Sequence, residues 1–167
     1  MQINQPMLDF GTFNSGQLLS KTKNSDGVSL GRRTVQLSVT CPAPTRLAIT
    51  FHGMTVGPTA FNLSDLGAFT MDFKNARLDG TEVLLGRVST AEEVPASVQN
   101  TIRLMPNSYV VPVSGGRLGT GKLFTVTVEI EALAKSETRK IRDITVMQGE
   151  GQFEVITSSP SAAQGAL

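Results

Sequence analysis

The sequence predicts an all-β chain, folded as an antiparallel β-sandwich of immunoglobulin-like, Greek-key type, on three observations. About eight short segments alternate apolar and polar residues with period two, at roughly ten-residue spacing. Gly, Pro, Asn and Asp punctuate the gaps between them. No stretch sustains a helical period between these segments.

In chain order, Leu8, Phe10 and Gly11 in PMLDFGTF read as a first strand ending at a glycine, and Asn14 to Gly31 as a polar surface loop. Thr34–Phe51 follows, TVQLSVTCPAPTRLAITF. Val35, Leu37, Val39 and Cys41 share one face against Thr34, Gln36, Ser38 and Thr40, the pattern of a half-buried strand. A Pro-Ala-Pro break predicts a turn, after which Leu47, Ile49 and Phe51 resume the alternation as a second strand, and the two strands are expected at the centre of the fold.

Leu63–Gly67 has the composition of a helical turn, but Phe69, Met71 and Phe73 alternate as a strand. Asp79-Gly80 then signals a tight turn into Val83 and Leu85 as the partner strand of a hairpin. Ser89–Asn100 is the one stretch of helical character, with Ser89 or Thr90 as N-cap and Pro95 limiting it to about one turn. Strands are expected at Ile102–Met105 and Tyr109–Val113, the second ended by Gly115-Gly116. Lys122–Glu131 is the strongest strand, with Phe124, Val126, Val128 and Ile130 opposing Thr125, Thr127, Glu129 and Glu131, which predicts a sheet with one wet face. A charged turn at Lys135–Lys140, a strand at Ile141–Met147 and a last strand at Gln152–Ile156 complete one domain, residues 1–156. Residues 157–167 are small-residue tail.

Length and composition bound the function. A chain of 167 residues buries enough surface to need no staple. Hydrophobic residues make up 40% and charged residues 17%, so hydroxyls and amides carry solubility. The net charge of +1, from 15 basic and 14 acidic side chains spread along the chain, gives no field to draw nucleic acid or an anionic membrane. Tryptophan is absent, so the stacking platform of a single-strand binder is missing. No apolar run is long enough to span a bilayer as a helix. Met1–Pro6 lacks the basic start and apolar centre of a signal peptide, so the chain is expected to be cytosolic or to begin after processing or truncation.

Enzymatic chemistry has no anchor. His52 is the one histidine and has no second imidazole to complete a metal site. Gly116–Lys122 fails the phosphate-loop pattern, because Lys122 leads into Leu123 and a strand, not into Ser or Thr and a helix. Glu92-Glu93, Asp65, Asp72 and Asp79 fall in loops or on polar faces, without the paired geometry of carboxylate hydrolysis. No cofactor, metal or catalytic residue is expected. Cys41 continues an apolar strand face, which favours a buried small hydrophobe or half of a disulfide over a reactive thiol.

The order of PMLDFG, a long loop, RRTVQLSVTCP with its strand cysteine, RLAITF, and KLFTVTVEIEAL with a terminal QFEVI resembles the minor or tip subunits of bacterial chaperone–usher fimbriae, over most of residues 6–156. That resemblance implies an immunoglobulin-like sandwich lacking its final strand. The groove left open between the first and last strands is filled by a periplasmic chaperone and then by the strand of a neighbouring pilus subunit, with assembly at the outer-membrane usher. On this reading Leu8, Phe10, Phe153 and Val155 line the groove.

Cys41 would be one half of the family's structural disulfide, its partner lying outside this chain or absent. The protein would then be an extracellular structural or adhesive fimbrial subunit, exported through the periplasm, able to accept a strand but without an apolar extension to donate one. A β-sandwich adhesin module recognising a host glycan or other surface ligand through its loops is the alternative. Scarce aromatics count against it, with Tyr109 the available stacking ring.

Overall fold

Alternation of apolar and hydroxyl-bearing side chains governs the longest element of the computed structural model, which describes residues 1–4, 6–11, 23–24, 27–64, 67–135 and 147–159. Among these, all regular structure is strand: β1 (Gln2–Ile3), β2 (Lys23–Asn24), β3 (Gly27–Gly53), β4 (Thr55–Val56), β5 (Ala60–Leu63), β6 (Gly67–Leu78) and β7 (Thr81–Glu82), then β8 (Leu84–Val88), β9 (Ile102–Arg103), β10 (Tyr109–Ser114), β11 (Arg117–Leu118), β12 (Gly121–Ala134) and β13 (Gly151–Ser158). They form an open antiparallel sheet with the order β11-β10-β3-β12-β6-β5-β4. The strands β1, β2 and β13 also pair with β3, β7 and β9 pair with β6, and β8 pairs with β10.

The strand β3 works in two halves. From Val28 to Thr40 it pairs with β12, in a register running from Val28 opposite Ala134 to Thr40 opposite Leu123. From Arg46 to Gly53 it pairs with β13. Between them lie Cys41, Pro42, Ala43 and Pro44, where the β12 register slips. The prolines have no N–H to give a ladder, so they stand where β3 changes partner. The Pro-Ala-Pro segment is therefore a change of pairing inside one strand, and not the turn between two that the sequence predicts.

Both halves of β3 turn their apolar face to one core. Val35, Leu37 and Val39 meet Phe124, Val126 and Val128 of β12 and Met71 and Phe73 of β6; Leu47 and Ile49 join the same cluster with Leu85 and Val110. Two smaller clusters flank it. Val28, Leu30, Ala132 and Ala134 close one end, and Ala48, Val88, Val111 and Val113 form the other, Ala48 standing on the opposite side of β3 from Leu47 and Ile49.

The wet face predicted for β12 carries cross-strand polar pairs. Lys74 Nζ lies 2.9 Å from Glu129, Arg32 Nε lies 3.2 Å from Glu131, and Gln36 Nε2 donates to Thr127 at 2.7 Å. On β6, Asp72 receives a two-pronged bond from Arg103, at 2.9 and 3.1 Å. Among the described residues, most of the ion pairs stand on this sheet face.

Turn chemistry follows the residues. Asp79 and Gly80 both have positive φ, 52° and 82°, and link Leu78 to Thr81 as a two-residue hairpin. Gly115 and Gly116 do the same between Ser114 and Arg117, so the glycine-rich segment is a hairpin.

Several expectations are corrected. Residues 27–31 belong to β3, and Lys23–Asn24 form a strand, so these do not belong to the loop predicted at 14–31, the rest of which lies outside the described residues; the glycine at 31 is accommodated at φ 116° within the strand. Leu8–Gly11 is not a strand. Asp9 bends the chain there by accepting the Gly11 N–H at 2.8 Å, and the first strand is Gln2–Ile3. After the Asp79-Gly80 turn only Thr81–Glu82 return along β6; Leu85 belongs to β8, which pairs with β10.

Ser89–Asn100 forms no helix. Thr90 and Glu93 close a single turn, and Pro95 packs over Gly86, where any Cβ would collide with the proline ring. β13 extends through Thr157 and Ser158, which the sequence assigns to the tail. The expected helical turn at Leu63–Gly67, the charged turn at Lys135–Lys140, the strand at Ile141–Met147 and the remainder of the tail lie partly or wholly outside the described residues.

Candidate functional site

The last described strand, β13, has one long edge that no other described strand borders. Every residue of β13 has a partner on β3, from Gly151 opposite Gly53 to Ser158 opposite Arg46, and among the described residues β3 is the strand it pairs with. Its second edge carries backbone donors and acceptors that no described strand takes up, and such an edge is a template for strand addition.

The strand is pressed close to β3. At Gly151 an added Cβ would run into the Phe51 ring and approach the His52 carbonyl oxygen to 2.6 Å, so only glycine starts the strand here.

Alternation then sorts its side chains. Phe153, Val155 and Thr157 stand opposite Phe51, Ile49 and Leu47. Phe153 and Val155 are half-buried and pack against the main core. The Phe153 ring lies 5.0 Å from Phe51 and 6.3 Å from Phe73, edge-on in both cases, and Phe51 in turn meets Phe61 at 4.9 Å. A chain of aromatic rings thus runs from the buried core out to the open strand. The other side of β13 presents Gln152, Glu154, Ile156 and Ser158, with Glu154 Oε1 3.4 Å from Nε2 of His52.

Of the four residues expected to line a groove, Leu8, Phe153 and Val155 border the main core, all half-buried. Phe10 is placed apart, against the small Val28–Ala134 cluster, with the Arg33 guanidinium 5.3 Å above its ring. KLFTVTVEIEAL and QFEVI are not sheet neighbours: β13 pairs with the second half of β3 and β12 mainly with the first.

Cys41 is a half-buried free thiol packed against the main core. In the β1 register, Gln2 faces Ser38 and Ile3 faces Leu37, so the position that would face Cys41 lies two places before Met1. His52 is exposed on β3 and meets Glu154. No group of three or more His, Cys, Asp or Glu side chains gathers as a metal site among the described residues. No helix is long and apolar enough to cross a membrane among them either.

Two adjoining shallow depressions, about 240 and 280 Å³, share Leu84, Val113 and Gly115; one lies under Val94–Val98 and the other beside Glu82 and Asn100. Tyr109 lines neither and is half-buried against the outer cluster. No sequence signal marks these hollows, since they arise where residues 94–98 fold back over β8.

Residues 4–94 match the family described as "Protein of unknown function (DUF1120)", over more than half of the chain. The chain belongs to that family. The DUF1120 match takes in β3 to β8 and the cysteine at 41, and stops before β10, β12 and the open strand β13. No curated protein matches the chain.

Proposed function

We propose that the protein is a non-enzymatic subunit of a cell-surface fimbria, an immunoglobulin-like Greek-key sandwich lacking one strand and completed by a strand from another polypeptide. The observation that carries the reading is β13, which among the described residues pairs on one side with β3, with Phe153 and Val155 half-buried along it. An added strand would take the open backbone groups and cover these side chains, joining hydrogen bonding to apolar burial in one event. A periplasmic chaperone would hold the edge first, and a neighbouring subunit would take it over at the usher, outside the cell. Leu8 borders the same core as Phe153 and Val155, whereas Phe10 packs against the separate Val28–Ala134 cluster and takes no part in this edge.

The Cys41 register supports the same reading. A cysteine two places upstream of Met1 would stand directly across from Cys41, in the geometry of a strand-to-strand disulfide. The glycan-binding alternative has less support, because neither depression contains an aromatic ring.

The test is strand addition itself. Nine-residue peptides alternating Val or Ile with polar residues are expected to raise the melting temperature of the purified chain and to protect amides of β13 from hydrogen exchange. A scrambled peptide of equal composition should do neither. Equal effects of the two peptides, or protection elsewhere but not on β13, would refute the reading.

A further inference from the structure

We propose that the open edge of β13 selects its incoming strand by charge, through Glu154, and takes an extended segment with a lysine or arginine on its outward side. This rests on the strand-acceptor reading above and adds the chemistry of the partner.

Glu154 is the one charged residue from Gly151 to Ser159. It stands on the outward side, between Gln152 and Ile156, with its side chain 49% exposed. Its neighbour on the β3 side is Thr50, which is neutral and turned to the Ser108 carbonyl at 2.6 Å. The imidazole of His52, diagonal to it at 3.4 Å, is a nearby basic side chain and is itself 62% exposed. The far flank of Glu154, where a new strand would lie, has no described strand beside it.

A strand added beside β13, parallel or antiparallel, must put one outward residue abreast of Glu154. Residues directly opposite across strands lie close enough for unlike charges to attract and like charges to repel. A basic residue there is favoured and an acidic one opposed. The same carboxylate disfavours a second copy of this chain, because two β13 strands paired about a two-fold axis at Glu154 would bring the two carboxylates together. The edge is thus open to a foreign strand and guarded against its own kind. The overall charge of +1 cannot mimic this preference, since it would slightly favour an acidic ligand.

Three nine-residue peptides with identical Val/Ile inward positions and lysine, glutamate or serine at the outward positions would be titrated against the intact chain by fluorescence anisotropy at low salt. The lysine peptide is expected to bind roughly three- to tenfold more tightly than the glutamate peptide, with serine between them. Glu154→Lys should reverse the order, and Glu154→Gln should level it. Equal affinities for the three peptides, or a lysine preference that survives Glu154→Gln, would overturn the charge selection while leaving strand addition in place. No binding of any peptide would overturn both.

Discussion

Phe153, on the last strand, lies edge-on against Phe51 of the central strand, ring centroids 5.0 Å apart and planes at 66°. This pair ties a strand with no described neighbour on its far side to the aromatic row formed by Phe61, Phe69 and Phe73. Phe153→Ala should lower unfolding free energy by about 2 kcal/mol, less than a fully buried ring would cost because Phe153 is half-exposed. Urea denaturation would measure it. The same variant should lose stabilisation by an alternating peptide, whereas a purely structural role would leave that peptide's effect unchanged.

Asp79 holds the β6–β12 corner through its side chain. Its Oδ1 accepts the backbone N–H groups of Lys122 and Leu123, each at 2.9 Å, while its own N–H donates to the Leu123 carbonyl at 2.8 Å. Asp79→Ala removes two acceptor contacts and leaves a β-carbon at φ 52°, for an expected loss of about 2 kcal/mol. Asp79→Gly relieves the backbone and should lose less, a difference readable in thermal melts of the two variants.

Gly86 is a close-approach position. An added Cβ would collide with the Pro95 ring and stand 3.3 Å from the Ser97 carbonyl oxygen. Gly86→Ala should push residues 94–98 away from β8, costing on the order of 1–3 kcal/mol. Faster proteolytic cleavage within residues 89–101, with the rest of the chain resistant, would be the specific sign.

Cys41 offers a test of the β1 register. A chain extended by two residues with cysteine as the first should form a disulfide to Cys41 in air, seen as a loss of two mass units. Closing this loop of about forty residues should add about 4 kcal/mol on the chain-entropy account, abolished by reductant. A cysteine placed one residue later would face away and should stay reduced.

Much of the fold was legible because strands write their faces into alternate residues. Phe124, Val126 and Val128 on β12, and Val35, Leu37 and Val39 on β3, were assigned to the core by periodicity and are buried there. The hairpin turn at Asp79-Gly80 and the strand end at Gly115-Gly116 were legible from the conformational freedom their residues supply, and the second proves to be a hairpin as well. Partnership was less legible. Leu85 looked like the return strand of β6 and instead pairs with β10, since alternation states which face is apolar and not which neighbour shares it. The one-turn helix at Ser89 failed because capping residues alone stabilise too little without an apolar face to bury, and Pro95 found its contact on Gly86.

For the candidate site, the sequence by itself determined that residues 152–156 form a half-apolar strand with Phe153 and Val155 on one side, and that Cys41 lies on a core face. Only the tertiary structure decided that β13 lies against the second half of β3 with no described strand on its other edge, that Phe10 belongs to a separate cluster from Leu8, Phe153 and Val155, and that Glu154 stands on the outward side of β13. The reason is physical. Side-chain alternation is a local property of an extended chain, whereas an open edge is defined by which distant strand pairs with it and on which side.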